Sequence, residues 1–145
     1  MQQPKHFKFK EMINSNTALA KGILNAPDWD QIVNLHNLAL NYLDPIREAW
    51  GKSITVSSGF RSTELNKAVK GSTTSSHLEG LAADLQPVNP TKANVEKLFN
   101  FVVDFLKEHT MEWDQCYIEN CAGKTWWVHL GIGPKMRKEV GAWTK

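Results

Sequence analysis

The sequence contains few cysteines, little net charge and no long apolar run. Its 145 residues include two cysteines, and the formal net charge is +2. A chain of this length can bury a sizeable core without disulfides. A charge this small does not by itself indicate a nucleic-acid partner. Because no apolar run reaches about 18 residues, no segment is expected to span a membrane.

The first residues, MQQPKHFKFKEM, lack the apolar stretch of a secretory signal peptide. We therefore expect a protein made as a soluble cytoplasmic product, which acts outside the cell only if another route releases it. The basic residues near both ends are either solubilising charges or a weak attraction to an anionic surface such as a cell wall. They are Lys5, Lys8, Lys10, Lys135, Arg137 and Lys138.

The two cysteines, Cys116 and Cys121, lie five positions apart. No further ligands follow at the spacing of a zinc knuckle. We therefore expect packed thiols, and a small disulfide loop only if the protein works in an oxidising compartment.

The order of sequence patterns predicts helices first, then strands mixed with helices. One helix follows Asp28, whose spacing to Gln31 fits a capping box. Pro45 is expected either to kink this helix or to end it, with a restart capped by Asp44. Further helices are predicted over 17–24, 62–69 and after Asn89, and strands over 54–57, 81–85, 114–119 and 126–131. This order indicates an α+β fold, with a small, mostly antiparallel sheet flanked by helices in a single domain over 1–145.

Two histidines and an aspartate stand out in the second half of the chain. His77 and Asp84 are seven positions apart, and His129 lies within an apolar strand pattern. Two imidazoles and one carboxylate match a catalytic zinc site that keeps a fourth position for water. Each residue also has a structural explanation. A strand histidine is often a hydrogen-bonded core residue, and an aspartate after small residues is often a turn or cap.

Longer motifs surround these three residues: SSGFRS at 57–62, SSHLEGLAAD at 75–84 and WVH at 127–129. In combination they resemble the D-Ala-D-Ala carboxypeptidase family of zinc peptidases (peptidase family M15), especially its small phage endolysin-like branch. The similarity runs over about residues 6–135, the expected core of the domain. It implies a D-Ala-D-Ala peptidase-like zinc fold, with Zn²⁺ bound by His77, Asp84 and His129.

Arg61 matches the arginine beside the active site of that family. The resemblance implies that its guanidinium clamps a substrate carboxylate or polarises the scissile carbonyl. The alternative is a surface salt bridge of little energetic value. Ser76 directly precedes the first expected ligand, and we expect its hydroxyl to orient His77.

The expected general base departs from the family pattern. Many members carry a glutamate three residues before the last histidine, where this chain has Trp126. We expect Glu119 to face His129 across the predicted strand pair, together with Gln115 and Tyr117 on one face, and to act as the base. Asp114 and Glu79 are the alternatives, and Glu119 can equally be a solvated strand end.

The resemblance implies a monomeric zinc-dependent hydrolase of peptidoglycan stem peptides, of the D-Ala-D-Ala carboxypeptidase type, with no nucleic-acid partner. Two alternatives stay open. One is an endopeptidase-type phage lysin of the same fold, and the other is a non-catalytic zinc-containing wall-binding or virion structural module.

Aromatic residues are abundant, with six tryptophans and six phenylalanines. Four of them border the expected site and would form its apolar wall: Phe60, Trp113, Trp126 and Trp127. Three others are expected in the core or as its cover: Trp29, Trp50 and Trp143.

Overall fold

The computed structural model describes residues 2–145, so Met1 of the predicted domain lies outside the described residues. The helices are α1 (Phe9–Ile13), α2 (Asn16–Lys21), α3 (Trp29–Leu38), α4 (Asp44–Trp50), α5 (Thr63–Ala68) and α6 (Lys92–Glu108). The strands are β1 (Ile54–Ser58), β2 (Ala82–Pro87), β3 (Gln115–Cys121), β4 (Thr125–Gly131) and β5 (Glu139–Thr144). Together they form the single small α+β domain that the sequence predicts.

The five strands described form one sheet in the order β1-β2-β4-β3-β5. Pairs β1–β2, β2–β4 and β4–β3 are antiparallel, as the sequence predicts for most of the sheet. Strand β5 was not expected, and it pairs in parallel with β3. The predicted hairpin is therefore confirmed as β3 and β4, and these strands lie inside the sheet rather than at its edge.

One face of the sheet packs against helix α6. Leu85, Val128 and Leu130 are fully buried on this face, and α6 presents an apolar stripe to it. The stripe consists of Val95, Leu98, Val102 and Leu106. Because side chains alternate along a strand, the intervening residues lie on the opposite face. The hydrophobic core thus leaves that second face available for polar side chains.

Pro45 does not end the helix, so no new helix starts from a cap at Asp44. The chain stays helical from α3 into α4 through a π-helical turn over Ala39–Leu43. Asp44 N–H donates to the Ala39 carbonyl in this wider turn, and Pro45 occupies the first turn of α4. A proline lacks an N–H, and the wider turn accommodates that loss without breaking the helix. The expectation that Asp44 caps a new helix is wrong.

Other helix boundaries differ from the predictions for local reasons. Helix α2 ends at Lys21 because Gly22 adopts a left-handed conformation with φ 64°. Helix α6 is capped by Thr91, whose hydroxyl accepts from Asn94 N–H, rather than starting at Asn89. Ser62 caps α5 as predicted, accepting from Leu65 N–H.

The aromatic residues are distributed differently from the expectation. Trp29 and Trp143 are 69% and 60% exposed, so neither lies in the core. Trp50 packs against Phe101 with ring centroids 5.1 Å apart, as a core cover would. Exposed aromatic side chains of this kind are individually common on protein surfaces.

Both cysteines are free thiols, and Cys116 is buried whereas Cys121 is exposed. Burial raises the pKa of Cys116 to about 12, so its thiolate is not available at neutral pH. The buried Cys116 is the packed thiol that the sequence predicts, whereas Cys121 is exposed, and no disulfide loop joins the two residues. In residues 2–145 no helix combines the length and apolar character needed to cross a membrane.

Asp44 joins the N-terminal segment to the helical layer, and this contact supplies a stability prediction. Its buried carboxylate accepts from Lys5 N–H at 2.6 Å and from His6 N–H at 3.0 Å. Replacing Asp44 with Ala should lower the free energy of unfolding by about 3 kcal/mol, because two N–H groups lose a charged acceptor. Urea denaturation measures the change.

Asp104→Ala is the matched control, because Asp104 is exposed on α6. It should change stability by less than about 0.5 kcal/mol. Equal stability of the two variants would contradict the role given to Asp44.

Candidate active site

Three buried side chains converge on the polar face of the sheet. His77 lies on a 3₁₀ turn over Ser76–Glu79, which Ser75 caps. Asp84 lies on β2 and is paired directly with His129 on β4. One donor atom from each of the three residues lies within 4.8 Å of the others. The structure therefore brings the three predicted ligands together.

Each imidazole presents a different nitrogen to this cluster. His77 Nδ1 lies 2.7 Å from the Gly59 carbonyl oxygen, and its Nε2 lies 3.2 Å from Asp84 Oδ1. His129 Nε2 lies 3.2 Å from Gln115 Oε1, and its Nδ1 lies 3.0 Å from the same Asp84 oxygen. A neutral imidazole that donates to an oxygen through one nitrogen keeps a lone pair on the other. The lone pairs of His77 Nε2 and His129 Nδ1 are thus directed toward Asp84 Oδ1, and the three donor atoms converge.

Such a donor set fits a metal cation. Zn–N and Zn–O bonds of about 2.0–2.2 Å place tetrahedral donors roughly 3.3–3.5 Å apart, close to the observed separations. Burial lowers the pKa of His77, which favours its neutral, ligating form. Burial alone would raise the pKa of Asp84, but the two facing imidazoles hold it well below its ordinary value. The cluster therefore pairs an ionised carboxylate with two imidazoles, a set suited to a divalent cation.

The charges around His129 also favour a cation at this site. Burial alone would lower its pKa, but the hydrogen bond and charge of Asp84 outweigh burial and raise it. Positive charge is thus favoured in front of Asp84. A metal cation would supply this positive charge while both imidazoles, His77 and His129, stay neutral.

Arg61 is part of this buried network rather than a surface ion pair. Only 7% of the residue is exposed, and its Nη2 lies 3.4 Å from Asp84 Oδ2. Its Nε donates to Ser58 Oγ at 3.0 Å, and its Nη1 lies 3.4 Å from Asn66 Oδ1. Three anchors fix the guanidinium beside the candidate ligands.

Above the cluster lies a cleft of about 270 Å³. Its lining includes both histidines, Arg61, Tyr117 and Glu119. Burial is the main cause that raises the pKa of Glu119, and the Asp84 charge adds to it. Opposing shifts come from His129, from Lys145 and from a 2.8 Å hydrogen bond donated by Trp127 Nε1. A carboxyl with a raised pKa in a cleft is suited to proton transfer.

The other two candidate bases lie elsewhere. The Asp114 carboxylate is buried and accepts from Arg137 Nε at 2.7 Å and Nη2 at 3.0 Å. Glu79 is exposed on the 3₁₀ turn. Neither residue belongs to the lining of the cleft, so Glu119 is the candidate base that shares the cleft with the histidines.

The structure corrects two local expectations. Tyr117, not Glu119, pairs directly with His129, and its ring stacks on the imidazole with centroids 5.8 Å apart. Glu119 pairs with Trp127 and reaches the cleft because it lies on the same face. The Ser76 hydroxyl donates to the Gly133 carbonyl at 3.0 Å instead of orienting His77. The Gly59 carbonyl has that role, and no sequence signal marks it, because every residue carries a carbonyl.

The expected aromatic wall is smaller than the sequence suggested. Phe60 and Trp113 are buried in the hydrophobic core, and Trp126 packs against that core. Trp127 contacts the candidate site, through its hydrogen bond to Glu119. Strand alternation explains the difference, because Trp126 and Trp127 lie on opposite faces of β4.

The family model described as Peptidase M15 matches residues 5–113, about three quarters of the chain. The chain belongs to peptidase family M15. None of the curated proteins compared with this M15 peptidase matches it. The family match includes Arg61, His77 and Asp84, whereas Glu119 and His129 lie beyond it and are placed by the geometry of the sheet.

The cluster of this M15 peptidase leads to a metal-binding prediction. Added Zn²⁺ at about 100 times its dissociation constant should stabilise the metal-free protein by about 2.7 kcal/mol, because the folded state presents the converging donors. Differential scanning fluorimetry should show an increase in Tm of roughly 5–10 °C.

Asp84→Asn should lose most of that increase, since it keeps the size of the side chain but removes the anionic donor. Asp104→Asn, on the exposed side of α6, should keep it. An undiminished increase in Asp84→Asn would show that Zn²⁺ binds elsewhere.

Proposed function

We propose that this M15 peptidase is a zinc-dependent hydrolase of peptidoglycan stem peptides, of the D-Ala-D-Ala carboxypeptidase type. The observation that carries the proposal is the convergence of His77, Asp84 and His129 beneath a cleft that also contains Glu119. In this proposal His77 Nε2, His129 Nδ1 and Asp84 Oδ1 hold the zinc ion. When bound, zinc supplies Lewis acidity, which lowers the pKa of a water molecule to about 7 and polarises a carbonyl.

Glu119 has the role of general base in this mechanism. Its carboxylate takes a proton from the attacking water as the new C–O bond forms at the peptide carbonyl. It then gives that proton to the leaving nitrogen as the C–N bond breaks. The Trp127 indole N–H, 2.8 Å from Glu119 Oε1, holds the carboxylate in place during this transfer.

Arg61 is proposed to stabilise the charge that develops on the carbonyl oxygen. Its hydrogen bonds to Ser58, Asn66 and Asp84 use three of its five N–H groups. Because Arg61 also lines the cleft, a remaining N–H can donate to the substrate. A guanidinium fixed before the reaction stabilises developing charge without reorganisation.

The cleft also suits a substrate that carries a carboxylate. Lys70 and Lys145 line it and form no ion pair with any residue in the range 2–145. The Lys145 ammonium lies 5.6 Å from the centre of the Trp127 ring. Uncompensated cations beside the cluster favour an anionic ligand, and stem peptides carry both side-chain and terminal carboxylates. This supports a peptide substrate with a carboxylate near the scissile bond.

Digestion of purified stem peptides tests the proposal. The zinc-loaded protein should release a terminal D-alanine from a peptide ending in D-Ala-D-Ala, and a chelator should abolish the reaction. Glu119→Gln should retain zinc but lose turnover by about 10²–10⁴-fold, because the general base is missing. Product masses and metal analysis measure both effects.

The product masses also separate the alternatives. A cut within the stem peptide would identify an endopeptidase. Intact peptides with zinc-loaded protein would contradict a hydrolase and favour a binding module. Full turnover by Glu119→Gln would contradict the role of that residue.

The Glu119–Trp127 hydrogen bond leads to a pH prediction. The base is active when ionised, so activity falls as the pH drops through the pKa of Glu119, which burial raises. Trp127→Phe removes a donor that stabilises the carboxylate, so this pKa should rise further. The acidic limb of kcat/KM should therefore move to higher pH by about one unit.

Trp126→Phe is the matched control, because the Trp126 indole donates to the Gly123 carbonyl and not to Glu119. Its acidic limb should coincide with that of the wild type. If the acidic limb of kcat/KM lies at the same pH in Trp127→Phe and in the wild type, Glu119 does not set the pH dependence.

A further inference from the structure

The two candidate histidine ligands are held by acceptors of different kinds. His77 Nδ1 is 2.7 Å from the Gly59 backbone carbonyl oxygen, whose position the chain itself fixes. His129 Nε2 is 3.2 Å from the side-chain oxygen of Gln115. The orientation of His129 thus depends on a residue that substitution can remove without altering the backbone.

We propose that Gln115 is a positioning residue that selects the tautomer of His129, so that Nδ1 is the nitrogen offered to the metal. The inference rests on the zinc site of the proposed function. Because Gln115 Oε1 only accepts, the proton of a neutral His129 ring lies on Nε2. The lone pair on Nδ1 then faces Asp84 Oδ1, 3.0 Å away, where the other donors converge.

The opposite tautomer would disable the ligand. If the Gln115 amide presented its NH₂ group to Nε2, that nitrogen would accept and the ring proton would lie on Nδ1. Nδ1–H would then donate to Asp84 and leave no lone pair for a cation. The amide orientation of Gln115 therefore decides between a metal-binding His129 and a hydrogen-bonded one.

Neighbouring residues on β3 and β4 position the Gln115 amide and the His129 imidazole. Gln115 is paired with Gly131 on β4, two residues beyond His129. A Cβ at position 131 would be in ordinary van der Waals contact with Gln115 Cβ and His129 Nε2, both 3.6 Å away, so Gly131, the amide and the ring are neighbours on one face of the strand pair. Tyr117 stacks on the imidazole at an interplanar angle of 20°. The His129 ring is thus contacted by Asp84 at Nδ1, by Gln115 at Nε2 and by Tyr117 on its face.

Zinc affinity tests the inference independently of hydrolysis. Competition with a chromophoric chelator at neutral pH should show that Gln115→Leu weakens Zn²⁺ binding by about 10–100-fold, because the ring loses its acceptor. Gln115→Glu keeps an acceptor oxygen and should bind within about threefold of the wild type or more tightly. Gln86→Leu is the matched control, since Gln86 lies on β2 and donates to the Trp126 carbonyl. It should bind Zn²⁺ like the wild type.

A second measurement requires no variant. In the zinc-loaded wild type, two-bond ¹H–¹⁵N correlation spectra should show His129 protonated at Nε2 and His77 protonated at Nδ1. Wild-type affinity in Gln115→Leu, or metal at Nε2 of His129, would overturn the inference while the zinc site itself stands. A wild-type protein that binds no Zn²⁺ would overturn the proposed function and this inference together.

Discussion

The candidate site depends on the buried carboxylate of Asp84. Removing a charge from water is costly unless partners compensate it, and Asp84 has partners on both oxygens. Arg61 lies 3.4 Å from Oδ2, while the two imidazoles lie 3.2 and 3.0 Å from Oδ1. This division leaves one oxygen held by a permanent cation and the other facing nitrogens that need not be charged. The carboxylate is therefore held in one orientation, toward the two imidazoles, and the three candidate donors converge on the polar face of the sheet.

The hydrophobic core determines that geometry through strand register. Asp84 and His129 are directly paired, and their chain neighbours Leu85, Val128 and Leu130 are fully buried on the other face. A slip of one residue between β2 and β4 would move His129 to the core face and expose an apolar neighbour. The free energy that buries the aliphatic side chains thus also maintains the alignment of Asp84 with His129. Residues that never touch a substrate stabilise the site in this way.

Local sequence signals predicted much of this arrangement. The short motifs and the family resemblance they carry identified the three candidate ligands. Strand alternation and a capping pattern, which depend on nearby residues, predicted the hairpin and the cap at Ser62. Features that depend on distant pairing were missed. The parallel pairing of β5 with β3 and the contact of Arg61 with Asp84 join segments far apart in the chain, and no local pattern encodes them. The π turn before Pro45 is local, but the sequence pattern does not distinguish it from a kink or a new helix. The exposure of Trp29 was missed for a related reason, since composition does not reveal which surface is covered.

Strand geometry also explains how Trp126 can stand where the family resemblance suggested a glutamate. Residues 126 and 129 are three apart on β4 and so lie on opposite faces, with Trp126 packed against the hydrophobic core. A carboxylate at position 126 would therefore be directed toward the core and away from His129. Glu119, on the neighbouring strand β3, pairs with Trp127 and lies on the same face as His129. The carboxylate that lines the cleft on the face of His129 therefore lies on β3, at Glu119, while Trp126 packs against the core.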